Sequence, residues 1–241
     1  MKLLPLTALA LIACAPRPAP GDGDLQPVST AQQGEGSAQD PTPGTNPDPN
    51  PAMSSDQDPE EVSASDSPPA TEEVITLGAG CFWCTEAVYE RLDGVLDAVS
   101  GYMGGHVENP TYREICGKKT GHIEVTQVRF DPRVISAGEI LGWFWRMHDP
   151  TSWDRQGADA GPQYRSAVFF HSEAQREETE RQIATINASD TFSSPIVTEV
   201  RPVERFWPAE DYHQDYYSLN GEQGYCRMVI RPKLEKLDLG D

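Results

Sequence analysis

The segment VITLGAGCFWC, residues 74–84, joins a predicted strand to a predicted helix and places a cysteine at the junction. Val74–Leu77 is typical of a short strand, and two glycines then turn the chain into a helix predicted over residues 81–92. Cys81, Cys84, Val88 and Leu92 share one face of that helix. Because unpaired N–H groups and the helix dipole favour a thiolate at a helix N-terminus, we expect Cys81 to be the nucleophilic group of the chain.

From this segment onward, the order of strand and helix signals predicts one α+β domain over residues 74–241. This length is sufficient for a single hydrophobic core. The element order strand–helix–strand–strand–helix–strand is that of a ferredoxin-like α/β plait, a split βαβ arrangement. We expect it to be followed by an irregular C-terminal extension. The predicted strands are Val74–Leu77, Val95–Tyr102, Ile123–Asp131, Arg165–His171 and Ile196–Val203. The further predicted helices are Ser136–His148 and Glu173–Asn187, and the first of them begins with a capping box of Ser136 and Glu139.

The N-terminal third of the chain has the composition of an export signal and a tether. Residues 1–13 are predicted to be a signal peptide, because their apolar stretch is too short to span a bilayer. The stretch ends in Leu-Ile-Ala-Cys, which resembles a bacterial lipobox and predicts lipidation of Cys14. An ordinary signal peptide with an incidental cysteine is the alternative. The residue after Cys14 is Ala15. Because an aspartate at this position would favour retention at the inner membrane, Ala15 favours anchoring to the outer membrane of the cell envelope, facing the periplasm.

Residues 14–73 are predicted to be a disordered, acidic, proline-rich tether. From residue 15 on, this segment holds 12 of the 21 prolines and 12 acidic residues against one basic residue, Arg17. It has too few large apolar residues to offset the entropy of ordering. As a coil it would reach roughly 40–45 Å. The acidity, with a net charge of −19 for the chain, argues against nucleic acid as a partner.

The Cys-x-x-Cys pair of Cys81 and Cys84 is compatible with several kinds of chemistry. A closed zinc site needs four ligands, and no other cysteine or histidine pair has ligand spacing, so we expect no metal. Haem attachment would need a histidine where Thr85 stands. A thioredoxin-like disulfide exchanger fits the strand–Cys-x-x-Cys–helix order better, although the bulky Phe82-Trp83 pair is better suited to a pocket for a small apolar group. A binding protein without catalysis is a third possibility.

A series of motifs resembles the methionine sulfoxide reductase A family and runs through residues 74–234 in family order. In chain order the motifs are Gly80-Cys81-Phe82-Trp83-Cys84 with Glu86, Ser100-Gly101-Tyr102, Asn109-Pro110-Thr111-Tyr112-Arg113, Thr120-Gly121-His122 leading to Glu124, His148-Asp149-Pro150-Thr151, Arg155-Gln156-Gly157 with Asp159, Gln163-Tyr164-Arg165-Ser166, Pro208-Ala209-Glu210-Asp211-Tyr212-His213-Gln214, and Tyr225-Cys226. The resemblance implies reduction of methionine S-sulfoxide, free and in proteins, and hence protein repair.

The resemblance also implies roles for individual residues. Cys81 would attack the sulfoxide sulfur and Glu124 would protonate the departing oxygen, while Tyr112 and Tyr164 would hydrogen-bond it. Phe82 and Trp83 would hold the methyl group, and Asp159 would line the site. The predicted strand places Glu124 on an apolar face, where burial raises a carboxyl pKa into the range of a general acid.

The attack would leave a sulfenic acid on Cys81 that a second thiol must resolve. Cys226 matches the resolving cysteine of the family, but Cys84 stands where many members have glycine, and it lies one helical turn from Cys81. Both remain candidates, and Cys116 is predicted to be structural. No cofactor is implied beyond an external dithiol reductant of the thioredoxin type. Oxidised proteins and free methionine sulfoxide are the expected substrates of a monomer anchored to the membrane by lipid.

Overall fold

The computed structural model describes residues 72–240, which form an α+β fold around a mixed six-stranded sheet. The strands are β1 (Glu73–Ala79), β2 (Val95–Met103), β3 (Ile123–Phe130), β4 (Arg155–Gln156), β5 (Asp159–Ala160), β6 (Ser166–Phe170), β7 (Glu199–Pro202) and β8 (Trp207–Pro208). The α-helices are α1 (Phe82–Tyr89), α2 (Tyr112–Cys116), α3 (Ala137–Met147), α4 (Glu173–Asn187), α5 (Tyr216–Asn220) and α6 (Arg231–Lys236). Short 3₁₀ turns at Pro162–Tyr164 and Asp211–His213 and a π-helix at Cys226–Ile230 complete the fold.

The strand order of the large sheet is β7-β6-β1-β3-β2-β8. β3 lies antiparallel between β1 and β2, so the two strands that α1 connects are not neighbours. β6 pairs antiparallel with the other side of β1, and β7 runs parallel to β6 at the edge. β8 adds two residues beside Gly101 and Tyr102. The strands β4 and β5 form a separate two-stranded ribbon.

The main core lies where β1 and β3 pack against α1 and α3. Alternate residues of the two strands, such as Leu77 and Val128, are fully buried in one cluster with Val88 of α1 and Phe144 of α3. The predicted capping box of α3 is confirmed, because Ser136 and Glu139 exchange side-chain and backbone hydrogen bonds. An N-cap of this kind stabilises a helix by about 1 kcal/mol.

Most predicted elements are confirmed, with shifted ends. Glu73 already pairs with Phe130, so the domain begins one residue before the predicted boundary. Helix α1 begins at Phe82 and ends at Tyr89, and Cys81 is its N-cap rather than its first residue. The predicted final strand is shortened to the four residues of β7. The lipobox with Cys14 and the tether up to Thr71 lie outside the described residues. Within residues 72–240, no helix has the length and apolar character needed to cross a membrane.

Candidate active site

A tight backbone turn between β1 and α1 positions Cys81. Gly80 adopts a φ of +91°, and a side chain there would meet Gln156 at 2.7 Å. Cys81 follows in an extended conformation as the N-cap of α1, and only 5% of its surface is exposed. Its side chain accepts no capping hydrogen bond from the helix. The sequence prediction of a cysteine at this helix terminus is therefore confirmed, but the thiol is buried and lies outside the hydrogen-bonding reach of the first turn.

The two thiols of the Cys-x-x-Cys pair are hydrogen-bonded to each other, and their environments differ. Burial, reinforced by the hydrogen bond with Cys84, raises the pKa of Cys81 well above that of a free thiol. The hydrogen bond from Cys81 lowers the pKa of Cys84 to about 6. Burial therefore opposes the helix dipole, which by itself favours a thiolate on Cys81. Within the pair, the surroundings favour negative charge on Cys84 over Cys81.

Glu124 enters the site from β3 and is 1% exposed. Its Oε2 accepts the backbone N–H of Phe82 at 3.3 Å, which ties the carboxyl to the first residue of α1. Its Oε1 is buried without a hydrogen-bond partner among the described residues. Burial raises the pKa of Glu124 well above that of an ordinary carboxyl. The face on which it lies is buried as predicted, since Thr126, Val128 and Phe130 are fully enclosed.

Tyr112 and Tyr164 bring two phenol groups close to this carboxyl. Burial, followed by the nearby charge of Glu124 and then of Cys81, raises the pKa of both hydroxyls, which therefore remain protonated. Tyr112 begins α2, where its backbone N–H donates to Glu210 Oε1 at 2.9 Å. The structure thus brings the two predicted tyrosines, the thiol and the carboxyl together in one buried pocket.

Asp159 lies next to the thiols and is held by a residue that the sequence analysis left without a role. The hydroxyl of Tyr225 donates to Asp159 Oδ2 at 2.7 Å, and it lies 3.9 Å from Cys84 Sγ. Burial raises the pKa of Asp159, and the Tyr225 hydrogen bond opposes that shift. Tyr225 therefore links the predicted site residue Asp159 to the second thiol of the pair.

The aromatic side chains of Phe82 and Trp83 form one wall of the pocket. Phe82 is buried and lies 6.4 Å from Tyr112, ring centroid to ring centroid, with the rings nearly parallel. Trp83 stacks on Tyr216 at 3.7 Å, and its indole N–H donates to His213 Nδ1 at 3.0 Å. Together the rings form a rigid apolar surface beside the thiol.

His213 is a site residue that the sequence analysis quoted in a motif without assigning it a function. It is 1% exposed, and its ring contacts Phe82 at 5.1 Å and Tyr112 at 4.4 Å between centroids. Burial lowers the pKa of His213 to about 4, so the ring stays neutral and Nδ1 remains an acceptor for the Trp83 indole. The sequence motif around it was the only signal, since 130 residues separate His213 from Trp83.

The remaining cysteines occupy different surroundings. Cys226 is fully buried at the start of the π-helix, in the same cluster as Cys81 and Cys84. Burial, followed by the charge of Cys84, raises the pKa of Cys226. Cys116 is half-buried at the end of α2. No group of three or more potential metal ligands occurs among residues 72–240.

Sequence comparison identifies the family to which this arrangement corresponds. A model of the family described as peptide methionine sulfoxide reductase matches residues 73–239. The peptide methionine sulfoxide reductase MsrA of Thermus thermophilus is 52% identical over 168 residues, which cover 68% of this chain and 93% of that protein. MsrA 1 of Rhodopirellula baltica is 49% identical over 167 residues, 69% of this chain and 86% of that protein.

Solved structures give the same result. The reduced form of Mxr1 from Saccharomyces cerevisiae superposes with a TM-score of 0.60 at 36% identity, covering 66% of this chain and 91% of that one. Methionine sulfoxide reductase A of Corynebacterium diphtheriae superposes with a TM-score of 0.57 at 34% identity, covering 66% and 79%. This chain therefore belongs to the peptide methionine sulfoxide reductase MsrA family and is a peptide-methionine (S)-S-oxide reductase, an enzyme of protein repair.

Proposed function

We propose that Cys81 attacks the sulfoxide sulfur while Glu124 protonates the sulfoxide oxygen. The observation that carries this assignment is the unpartnered, buried Oε1 of Glu124 in the pocket that also holds Cys81. A carboxyl with a raised pKa keeps its proton at neutral pH and can deliver it to an oxygen that leaves poorly unless protonated. Cys84, the thiolate of the pair, accepts the Cys81 proton during the attack.

Tyr112 and Tyr164 are proposed to donate hydrogen bonds to the same oxygen. Their hydroxyls remain protonated next to Glu124, so they act as donors and not as bases. Phe82 and Trp83 are proposed to hold the methyl group on sulfur, because they form the apolar wall of the pocket. The fit of a methyl group there would apply equally to free methionine sulfoxide and to an exposed methionine sulfoxide in an oxidised protein.

Two thiols are proposed to resolve the sulfenic acid in sequence. Cys84 is hydrogen-bonded to Cys81 and lies three residues away, so we assign the first disulfide to Cys81 and Cys84. Cys226 lies next to Cys84 and would then exchange with it. In the first step the Cys84 sulfur attacks the Cys81 sulfur, the S–O bond breaks, and the oxygen leaves as water. The second step exchanges one S–S bond for another.

A trapping experiment tests this sequence of thiols. One equivalent of methionine sulfoxide is mixed with reduced enzyme, the reaction is stopped with acid, and the disulfides are mapped by mass spectrometry. The expected result is one methionine per enzyme, with Cys81–Cys84 at early times and Cys84–Cys226 later. Cys81→Ser serves as the control and should form neither product. A Cys81→Ser enzyme that still turns over with dithiothreitol would contradict the assignment of the nucleophile.

The remaining parts of the proposal concern the fold type, the setting and the partners. We assign the central strands β6-β1-β3-β2 to a ferredoxin-like plait, supported by their order and pairing. Residues 1–13 are proposed to be a lipoprotein signal and residues 14–73 a tether, which would hold a monomeric domain, residues 74–241, at the periplasmic side of the outer membrane. A thioredoxin-like dithiol in that compartment would regenerate the enzyme without a bound cofactor. Mass spectrometry of an acylated Cys14 would decide between anchoring and secretion.

A further inference from the structure

A cavity of about 640 Å³ is lined by both thiols of the Cys-x-x-Cys pair. Cys81 and Cys84 line its floor, and its walls come from the end of α3, from α6, from the β4–β5 ribbon and from residues 191–192. Phe82, Trp83 and Tyr112 are not among its lining residues. The cavity therefore shares Cys81 and Asp159 with the candidate active site but is not lined by these three aromatic side chains.

The cavity carries more cationic than anionic side chains. Arg146, Lys233 and Lys236 line it, together with the carboxyls of Asp149 and Asp159. Asp159 already accepts the Tyr225 hydroxyl, and burial raises its pKa toward the neutral form. The positive balance is local, because the chain as a whole has a net charge of −19.

One of these cations, Lys233, acts on the second thiol of the pair. After the hydrogen bond from Cys81, Lys233 is the nearby charge that lowers the pKa of Cys84. Lys236 follows one turn later on α6 and is exposed, as is Arg146 at the end of α3. His148, which also lines the cavity, stays neutral because burial lowers its pKa to about 4. An anion entering the cavity would thus be drawn toward Cys84.

We propose that this cavity admits a low-molecular-weight thiol bearing a carboxylate, which reduces the disulfide at Cys84. The inference rests on the proposed resolving role of Cys84. The volume is that of a small-molecule site, and Cys84 is only 1% exposed at its floor. Because Cys84 is so little exposed, reaching its sulfur requires a small displacement of the walls, which a slender molecule needs less of than a protein dithiol. This route would operate beside the protein dithiol that reduces the enzyme.

The reduction balances in two steps. The first thiolate attacks Cys84 Sγ and the bond from Cys84 to Cys81, or to Cys226 after the exchange, breaks. The released cysteine leaves as a thiolate that takes up a proton. The second thiolate attacks the external sulfur of the mixed disulfide, which releases the small-molecule disulfide and returns Cys84 as a thiolate. Two external thiols are oxidised for each protein disulfide reduced. The cationic wall favours entry of the anion and stabilises Cys84 as the leaving group.

Steady-state turnover of the full chain with three small thiols tests the proposal. The probes are 3-mercaptopropionate, 2-mercaptoethanol and cysteamine, whose second functional group is anionic, neutral and cationic, respectively. The value of kcat/KM is expressed per concentration of thiolate. Charges about 6–8 Å apart in a partly solvated site predict a five- to tenfold preference for the anionic over the neutral thiol. Cysteamine should be the slowest, and the preference should shrink at high salt.

Matched charge reversals separate the cavity from the overall charge of the enzyme. Lys236→Glu should reduce the ratio of anionic to neutral thiol by about fivefold, whereas Lys119→Glu, an exposed lysine outside the cavity, should leave that ratio unchanged. Equal kcat/KM for the anionic and neutral thiols, or equal effects of the two reversals, would overturn the proposal. Wild-type formation of one methionine per enzyme from one equivalent of methionine sulfoxide, without added thiol, tests the proposed function separately, so the two failures are distinguishable.

Discussion

Replacing Glu124 by glutamine should abolish proton delivery while leaving the pocket intact. Glutamine has the same shape, and its Oε1 can still accept the Phe82 N–H that Glu124 accepts at 3.3 Å. The amide can also donate a hydrogen bond to the sulfoxide oxygen, but it cannot give up a proton. The substitution therefore isolates the acid function from binding and positioning.

The expected loss is that of one general acid. Positioned acids contribute about 10²- to 10⁴-fold to a rate, or ~3–5 kcal/mol at 1.36 kcal/mol per decade. The measurement is rapid-quench formation of methionine in a single turnover with enzyme in excess over methionine sulfoxide, so that regeneration of the enzyme does not contribute. Binding of the sulfoxide should change little, because the tyrosine donors and the aromatic wall remain.

The same substitution should stabilise the fold as pH rises. The folded pKa of Glu124 lies above its unfolded value, so the wild-type stability is fully present below the unfolded pKa and is lost as pH rises through the folded pKa. Glutamine does not titrate, so the free energy of unfolding of the variant, measured in urea, should rise relative to that of the wild type as pH increases. Glu139→Gln is the control, because hydrogen bonds from Ser136 lower the pKa of Glu139 and no such gain should appear.

Two results would refute this reasoning about Glu124. A Glu124→Gln enzyme that forms methionine within about threefold of the wild-type single-turnover rate would remove the acid role. A difference in unfolding free energy that is constant between pH 5 and 8 would show that the carboxyl is not buried as a neutral group. In either case the proton would have to come from another donor in the pocket.

Three further predictions concern groups around the thiol pair. Cys84→Ser should still form methionine but accumulate a Cys81 sulfenic acid, detected by dimedone labelling, and rapid disulfide formation in that variant would contradict the resolving role of Cys84. Burial raises the pKa of Glu86 to about 8, so the free energy of unfolding of the wild type should fall between about pH 4.5 and 8. Glu86→Gln does not titrate, so in urea unfolding it should gain about 1.4 kcal/mol per pH unit over the wild type in that window. His213→Phe should leave the Trp83 indole N–H without its acceptor, destabilise the fold by about 1–3 kcal/mol and raise KM for methionine sulfoxide. An unchanged KM would show that Trp83 is held in place without His213.

Much of the fold follows from local sequence signals, and its remaining parts depend on distant partners. The capping box at Ser136 and Glu139 and the buried face of β3 were predictable from spacing alone. β8 was not, because Trp207 and Pro208 have no periodicity and are ordered only by pairing with β2. The short helices α2 and α5 likewise have five residues each, too few to show an amphipathic pattern.

The candidate site likewise has features that local sequence predicts and features that depend on residues remote in sequence. The residue types near Cys81 were predictable from the motifs, and the structure brings Glu124 and the two tyrosines to it. The protonation of the thiols was not predictable, because the pKa of Cys81 depends on burial by elements that are remote in sequence. The contribution of Tyr225 was hidden for the same reason, since 66 residues separate it from Asp159.

The burial of two protonated groups side by side has a consequence for the product water. In the proposed mechanism the sulfoxide oxygen receives its first hydrogen from Glu124, whose pKa burial raises. The second comes from the Cys81 thiol, by way of Cys84, when the disulfide closes. Both hydrogens of the released water therefore originate inside the protein. The chemical step of the first turnover therefore does not require a proton to be drawn from the surrounding solvent.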